Sequence, residues 1–158
     1  MTSVRRAGPD DLDALVATRV ALFRELGQAD AAGTSAFAIS VRATLERMLA
    51  DGSALAWIAT EAAPSATSGA CVLLVFPRLP SPLNLATREG YLLNVWVAEA
   101  QRRRGIATAL VEAALAEARR LALGRIRLHA TPAGRAVYER LGFHLRSDEM
   151  ELSLESER

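Results

Sequence analysis

The passage from Tyr91 to Ala130 constrains the fold more than any other part of the chain. Tyr91 to Val97 is an apolar strand pattern. Ile106, Leu110, Ala113, Ala114 and Leu121 then recur at helical spacing until Gly124, and Arg125 to Ala130 alternates charged and apolar residues as a half-buried strand does. A strand, a helix and a strand in succession require a parallel pair with a right-handed crossover.

The segments before it supply the remaining layers. Val4 to Arg6 can form only a short first strand, and Pro9-Asp10-Asp11 reads as a helix start. Leu12, Leu15, Val16, Leu22, Phe23 and Leu26 mark a first amphipathic helix that Gly27 ends. Gln28 to Ser35 is small and polar, as a mobile connection would be. Phe37, Val41, Leu45, Met48 and Leu49 mark a second helix, closed by Asp51-Gly52. Leu55 to Glu61 suits a strand, Ala62 to Gly69 a turn, and Ala70 to Phe76 a buried strand. Pro77, Pro80 and Pro82 make Pro77 to Arg88 a surface loop, long enough to serve as a lid or pocket wall. After the crossover, Pro132 can open a short helix through Ala136, Val137, Tyr138 and Leu141 to Gly142, and Phe143 to Leu154 supplies one or two last strands.

The expected order is β-α-α-β-β-β-α-β-α-β: an α/β fold with a mixed central sheet and helices on both faces. With 158 residues and no linker long enough to divide it, residues 1–158 are expected to form one domain.

Between the central strand and the crossover helix stand Arg102, Arg103 and Arg104. Unpaired N–H groups already make a helix N-terminus positive, so each exposed cation there costs roughly 0.3–1 kcal/mol. A docked anion, held by N–H groups and guanidinium forks together, would reverse that cost. The alternative is a solvated charge run beside Glu99 and Glu112. The segment Arg102-x-x-Gly105-x-Ala107 favours the anion, because Gly105 puts no side chain in the way of a pyrophosphate and the N–H groups through Thr108 follow it. It is not a dinucleotide fingerprint, which needs three spaced glycines and an acidic residue after the next strand. It is not the phosphate loop of nucleotide hydrolases either, since all 19 basic residues are arginine.

Other chemistries find little support. A net charge of +1 gives no general push toward nucleic acid or membrane. No apolar run approaches the ~18 residues of a membrane span, and no leader pattern is visible, so a cytoplasmic protein is expected. Cys71, the single cysteine, sits in a buried strand pattern and reads as a small hydrophobe. His129 and His144 lack zinc-ligand spacing, so no metal is expected.

Four features together resemble the GCN5-related N-acetyltransferase superfamily: Asn94-Val95-Trp96-Val97 before the loop, Arg102-Arg103-Arg104-Gly105-Ile106-Ala107, the helix after it, and Val137-Tyr138-Glu139-Arg140-Leu141-Gly142-Phe143. The element order matches across almost the whole chain. The resemblance implies acetyl-CoA as cosubstrate and transfer of its acetyl group to a primary amine by direct attack within a ternary complex. The backbone of Val95 and Val97 would line the pantetheine arm and the thioester, where the family's strand bulges and splays from the next one. Backbone N–H groups of Arg103, Arg104, Gly105, Ile106, Ala107 and Thr108 would hold the pyrophosphate, with the Arg102 side chain assisting.

Tyr138 matches the position of a general acid in many members. A phenol near pKa ~10 can donate to a departing thiolate whose thiol has pKa around 8.5. The structural alternative is a core tyrosine beside Leu141 and Phe143. The general base stays unassigned: the central strand offers Asn94 and no carboxylate, Glu89 and Glu25 read as solvated surface residues, and His129 is as good a structural histidine as a base. Trp57 and Trp96 read as core or pocket wall. The acceptor, a small amine or a peptide N-terminus, is not specified, and a homodimer is compatible with the sequence. A non-catalytic acyl-CoA-binding module on the same fold is the main alternative, supported by the missing carboxylate.

Overall fold

A computed structural model describes residues 2–29, 34–61 and 66–154. Its elements are β1 (Ser3–Arg6), a 3-10 turn at Pro9–Asp11, α1 (Leu12–Glu25), α2 (Thr34–Asp51), β2 (Ala54–Thr60), β3 (Thr67–Pro77), β4 (Arg88–Val97), a 3-10 turn at Glu99–Gln101, α3 (Ile106–Arg120), β5 (Ile126–Arg127) and α4 (Arg135–Arg140). The expected connection at Gln28–Ser35 and turn at Ala62–Gly69 fall partly outside the described residues.

The five strands form one sheet in the order β1-β2-β3-β4-β5, antiparallel except for the parallel β4–β5 pair that α3 connects. Alternating side chains divide the interior in two. Ala54, Ala56, Ile58, Ala70 and Val72 face α1 and α2 with Leu15, Val16, Val20, Val41 and Leu45. Leu55, Trp57, Ala59, Cys71, Leu73 and Leu92 face α3 with Ile106, Leu110, Val111, Ala114 and Ala118, and Tyr138 and Phe143 pack against that side. The strands β2 and β3 are covered on both faces, which is why they read as near-continuous apolar runs.

Two differences from the expected elements bear on function. Among the described residues Phe143 to Leu154 pairs with no strand, despite alternation in its last residues, and Leu145, Met150, Leu152 and Leu154 stand exposed. Alternation alone does not make a strand without a ladder partner. The expected strand at Arg125–Ala130 contracts to Ile126–Arg127, with Gly90 opposite Ile126 and Tyr91 opposite Arg127. A Cβ on Gly90 would stand 2.6 Å from Ile126 Cδ1 and 2.9 Å from Leu73 Cδ1, so a larger residue there would have to push these side-chain tips aside. Beyond Tyr91 the strands part, and β4 from Leu92 to Val97 runs with no β5 partner.

Candidate active site

The parted stretch of β4 also carries a bulge. Its register against β3 runs from Leu93 opposite Val72 to Trp96 opposite Ala70, so Cys71 faces two residues, Asn94 and Val95. Asn94 takes up the extra residue at φ 54°, a left-handed conformation that asparagine tolerates better than most side chains. The bulge breaks the two-residue alternation. Leu92 faces α3, Leu93 packs on the α1–α2 side, and Asn94 also reaches α1, donating from Nδ2 to Thr18 Oγ1 at 3.1 Å. Val95 and Val97 then return to the α3 side, while the Trp96 indole donates to Glu25 Oε1 of α1 at 3.0 Å. The bulge therefore lies where β4 has left β5, and Val97 returns to register opposite Gly69.

The loop after β4 ends at the N-terminus of α3. Arg103 holds φ 62° and Gly105 φ 77°. For arginine that conformation costs roughly 1–2 kcal/mol, the kind of strain that a functional loop retains. The N–H groups from Arg103 to Thr108 donate to no carbonyl among the described residues, and the first i−4 bond that reaches back joins Ala109 N–H to Gly105 O at 3.0 Å. Successive unpaired N–H groups in turn conformation form an anion-binding concavity. Space in front of Gly105 is open among the described residues, none of which beyond its own chain neighbours and helix places a heavy atom within 4 Å of where a Cβ would stand. The concavity and the open approach fit a pyrophosphate.

The three arginines behave differently. Arg102 donates from Nε to Val97 O at 3.0 Å and from Nη2 to Glu25 Oε2 at 2.6 Å. Arg104 pairs with Glu61 at 3.0 Å and also contacts Gln101 Oε1. Arg103 has no ion pair among the described residues.

Tyr138 lies on α4, half-buried, its ring 5.9 Å from that of Phe143 in edge-to-face contact. Burial raises its pKa above the usual phenol value, and repulsion from an ionised Cys71 raises it further. The Tyr138 side chain packs against the α3-side core that contains Cys71, the β3 residue facing the bulge. Cys71 itself is fully buried, with Sγ 3.5 Å from Leu110 O, and burial pushes its thiol up to about 12. A thiol so held is no nucleophile near neutral pH. His129 Nδ1 bonds the Tyr91 hydroxyl on the exposed rim.

Glu89 is not the solvated residue expected at the start of β4: it is 3% exposed. It accepts from Arg125 Nε at 2.7 Å and Arg127 Nη2 at 2.6 Å, and Arg78 Nε lies 3.3 Å away. Burial pushes its pKa up, but the Arg125 and Arg127 guanidinium groups outweigh that and hold it below the usual carboxylate range. So engaged, Glu89 is unsuited to be a base. The sequence showed each member; their meeting required the fold.

The geometry has counterparts among known proteins. A GCN5-related N-acetyltransferase from Ralstonia eutropha is similar at 32% identity and TM-score 0.84, over 97% of this chain and 99% of that one. A predicted acetyltransferase from Clostridium acetobutylicum, solved with acetyl-CoA, is similar at 25% identity and TM-score 0.87, over 98% of this chain and 97% of that one. No curated protein matches. The family model described as acetyltransferase (GNAT) matches residues 38–143. With two thirds of its length matched, and with the bulged strand, splayed sheet and glycine loop in place, the chain belongs to the GNAT acetyltransferase family.

Proposed function

We propose that this protein is an acetyl-CoA-dependent N-acetyltransferase, a single domain spanning residues 1–158 that acetylates a primary amine by direct attack in a ternary complex. The observation that carries this reading is the run of unpaired N–H groups from Arg103 to Thr108 beside the bulge of β4. The acetyl-CoA present with the Clostridium acetobutylicum relative supports the same cosubstrate here.

Acetyl-CoA supplies an activated thioester carbonyl. The chain's own groups then have three tasks. The N–H groups of Arg103, Arg104, Gly105, Ile106, Ala107 and Thr108 hold the pyrophosphate, with Arg102 assisting once it leaves Glu25. The backbone of Val95 and Val97 aligns the pantetheine arm along β4. Tyr138 donates toward the departing sulfur. A phenol at pKa ~10 giving its proton to a thiolate of pKa ~8.5 goes uphill by about 2 kcal/mol, and the upward shift adds to this. Tyr138 therefore contributes mainly a hydrogen bond to the charge developing on sulfur, rather than a completed proton transfer.

Neither carboxylate weighed from the sequence is free to be a base, since Glu89 is held by arginines and Glu25 by Arg102 and Trp96. That observation favours a second reading, a non-catalytic acyl-CoA-binding module. Two measurements separate them. Acetyl-CoA, but not NAD, should raise the melting temperature. Incubation with primary amines should then release free thiol. Stabilisation without thiol release across amines and peptide N-termini favours the binding module, and no stabilisation overturns both readings.

A further inference from the structure

Asn94 combines two anomalies at one residue. It is 3% exposed, yet its Oδ1 has no hydrogen-bond partner among the described residues. It also holds a left-handed backbone, at φ 54°, in the middle of the sheet. A buried amide oxygen left unpaired costs about 1–3 kcal/mol, and such strain persists only where the surroundings impose it.

The other half of the amide has a partner on α1. Thr18, itself 3% exposed, gives its single hydroxyl proton to Leu15 O at 2.9 Å, which leaves Oγ1 to accept from Asn94 Nδ2 at 3.1 Å. Donors thus run one way, from Asn94 to Thr18 to the α1 backbone, and the chain ends on an oxygen that can only accept. That oxygen belongs to the bulge residue immediately before Val95, on the α1–α2 side, where β4 has already left β5.

Resting on the proposed acetyl transfer, we infer that Asn94 Oδ1 is the group that receives the acceptor amine, taking one of its N–H bonds, and that Thr18 is a positioning residue that fixes the amide. A neutral primary amine has two N–H bonds and one lone pair. Binding one N–H at Oδ1 leaves the lone pair to be directed across the bulge toward the thioester carbonyl. As the N–C bond forms and the C–S bonding pair departs on sulfur, the nitrogen gains positive charge and its remaining N–H bonds become stronger donors. The Asn94 contact is therefore tighter at the transition state than in the ground state, as catalysis requires. The proton lost from nitrogen passes to solvent. The same geometry disfavours tertiary amines, which offer Oδ1 no N–H bond.

The test uses the full chain with acetyl-CoA and two minimal acceptors, methylamine and hydroxylamine. Asn94→Gly keeps the left-handed backbone and removes only the side chain. Its kcat/KM for both acceptors should fall by about tenfold, with the acetyl-CoA dissociation constant unchanged. Thr18→Val should show a smaller fall of roughly threefold, and Thr18→Ser should restore the rate. Acceptor kinetics unchanged in Asn94→Gly would overturn the inference, whatever the change in melting temperature. A protein that binds acetyl-CoA but transfers to neither acceptor would also overturn it while leaving the cosubstrate reading intact. Failure to bind acetyl-CoA would instead sink the proposed function.

Discussion

Glu25 and Arg102 meet at 2.6 Å across the mouth of the sheet, joining the end of α1 to the loop before α3. Both side chains are 43% exposed, so the pair is worth no more than about 1 kcal/mol. A phosphate with two or more charges can outbid it for the guanidinium. Arg102→Ala should weaken acetyl-CoA binding by about tenfold. Glu25→Gln, which releases Arg102 in advance, should strengthen it by up to about fivefold. Calorimetric titration of the three proteins checks this, and equal affinities would show that Arg102 takes no part in holding the cosubstrate.

Gly105 carries both the turn and the approach to the anion. Gly105→Ala puts a Cβ on a backbone at φ 77°, which should lower stability by about 1–2 kcal/mol in urea unfolding even though the space around it is open. On the proposed reading, the same methyl group stands where the pyrophosphate comes closest to the backbone. Acetyl-CoA affinity should therefore fall further than stability alone explains. A variant that loses stability but binds normally would place the pyrophosphate elsewhere.

Tyr138→Phe should reduce kcat by roughly tenfold to a hundredfold and leave acetyl-CoA affinity unaltered. Burial, and then Cys71, keep the phenol protonated beyond its ordinary range. Loss of kcat from its ionisation should accordingly begin only above about pH 10. A falling limb below pH 9 that vanishes in Tyr138→Phe would contradict this.

Cys71 should make stability sensitive to alkali. Its thiol rises from an ordinary 9.0 to about 12 in the folded protein, so the folded state favours the protonated form. The contribution is complete below pH 9 and is lost as pH climbs toward 12, in total by about 4 kcal/mol. Urea midpoints measured between pH 8 and 11 should fall more steeply in the wild type than in Cys71→Ala. Parallel declines would refute it. Iodoacetamide should label the thiol only after unfolding.

Much of this was legible in the sequence, and the limits have physical causes. Helices α1, α2 and α3 and strands β2 to β4 follow from periodicity, because one burial pattern serves a helix stripe and another a two-sided strand. The glycine loop was legible because Gly105 and the arginines are contiguous. The bulge was expected only through the family resemblance: nothing in the local pattern around Asn94 marks an extra residue, and only the register with β3 reveals it. Glu89 looked solvated because it adjoins Arg88 and Gly90 after a proline-rich loop. Its partners Arg125 and Arg127 lie 36 and 38 residues away, beyond any local pattern. Phe143 to Leu154 had the alternation of a strand but no neighbour to complete it.

Glu89 also decides where the sheet forks. It grips Arg125 and Arg127 on either side of Ile126, next to the two residue pairs that β4 and β5 share. One carboxylate thus rivets the crotch of the V, and the depth of the cleft above is set by where that rivet stands. Because its folded pKa is depressed, its hold is complete above the ordinary carboxylate value and fails as pH falls through the lower one. Acid should accordingly unzip the fork from its base, and the alignment of two substrates would be lost while the rest of the sheet still stands.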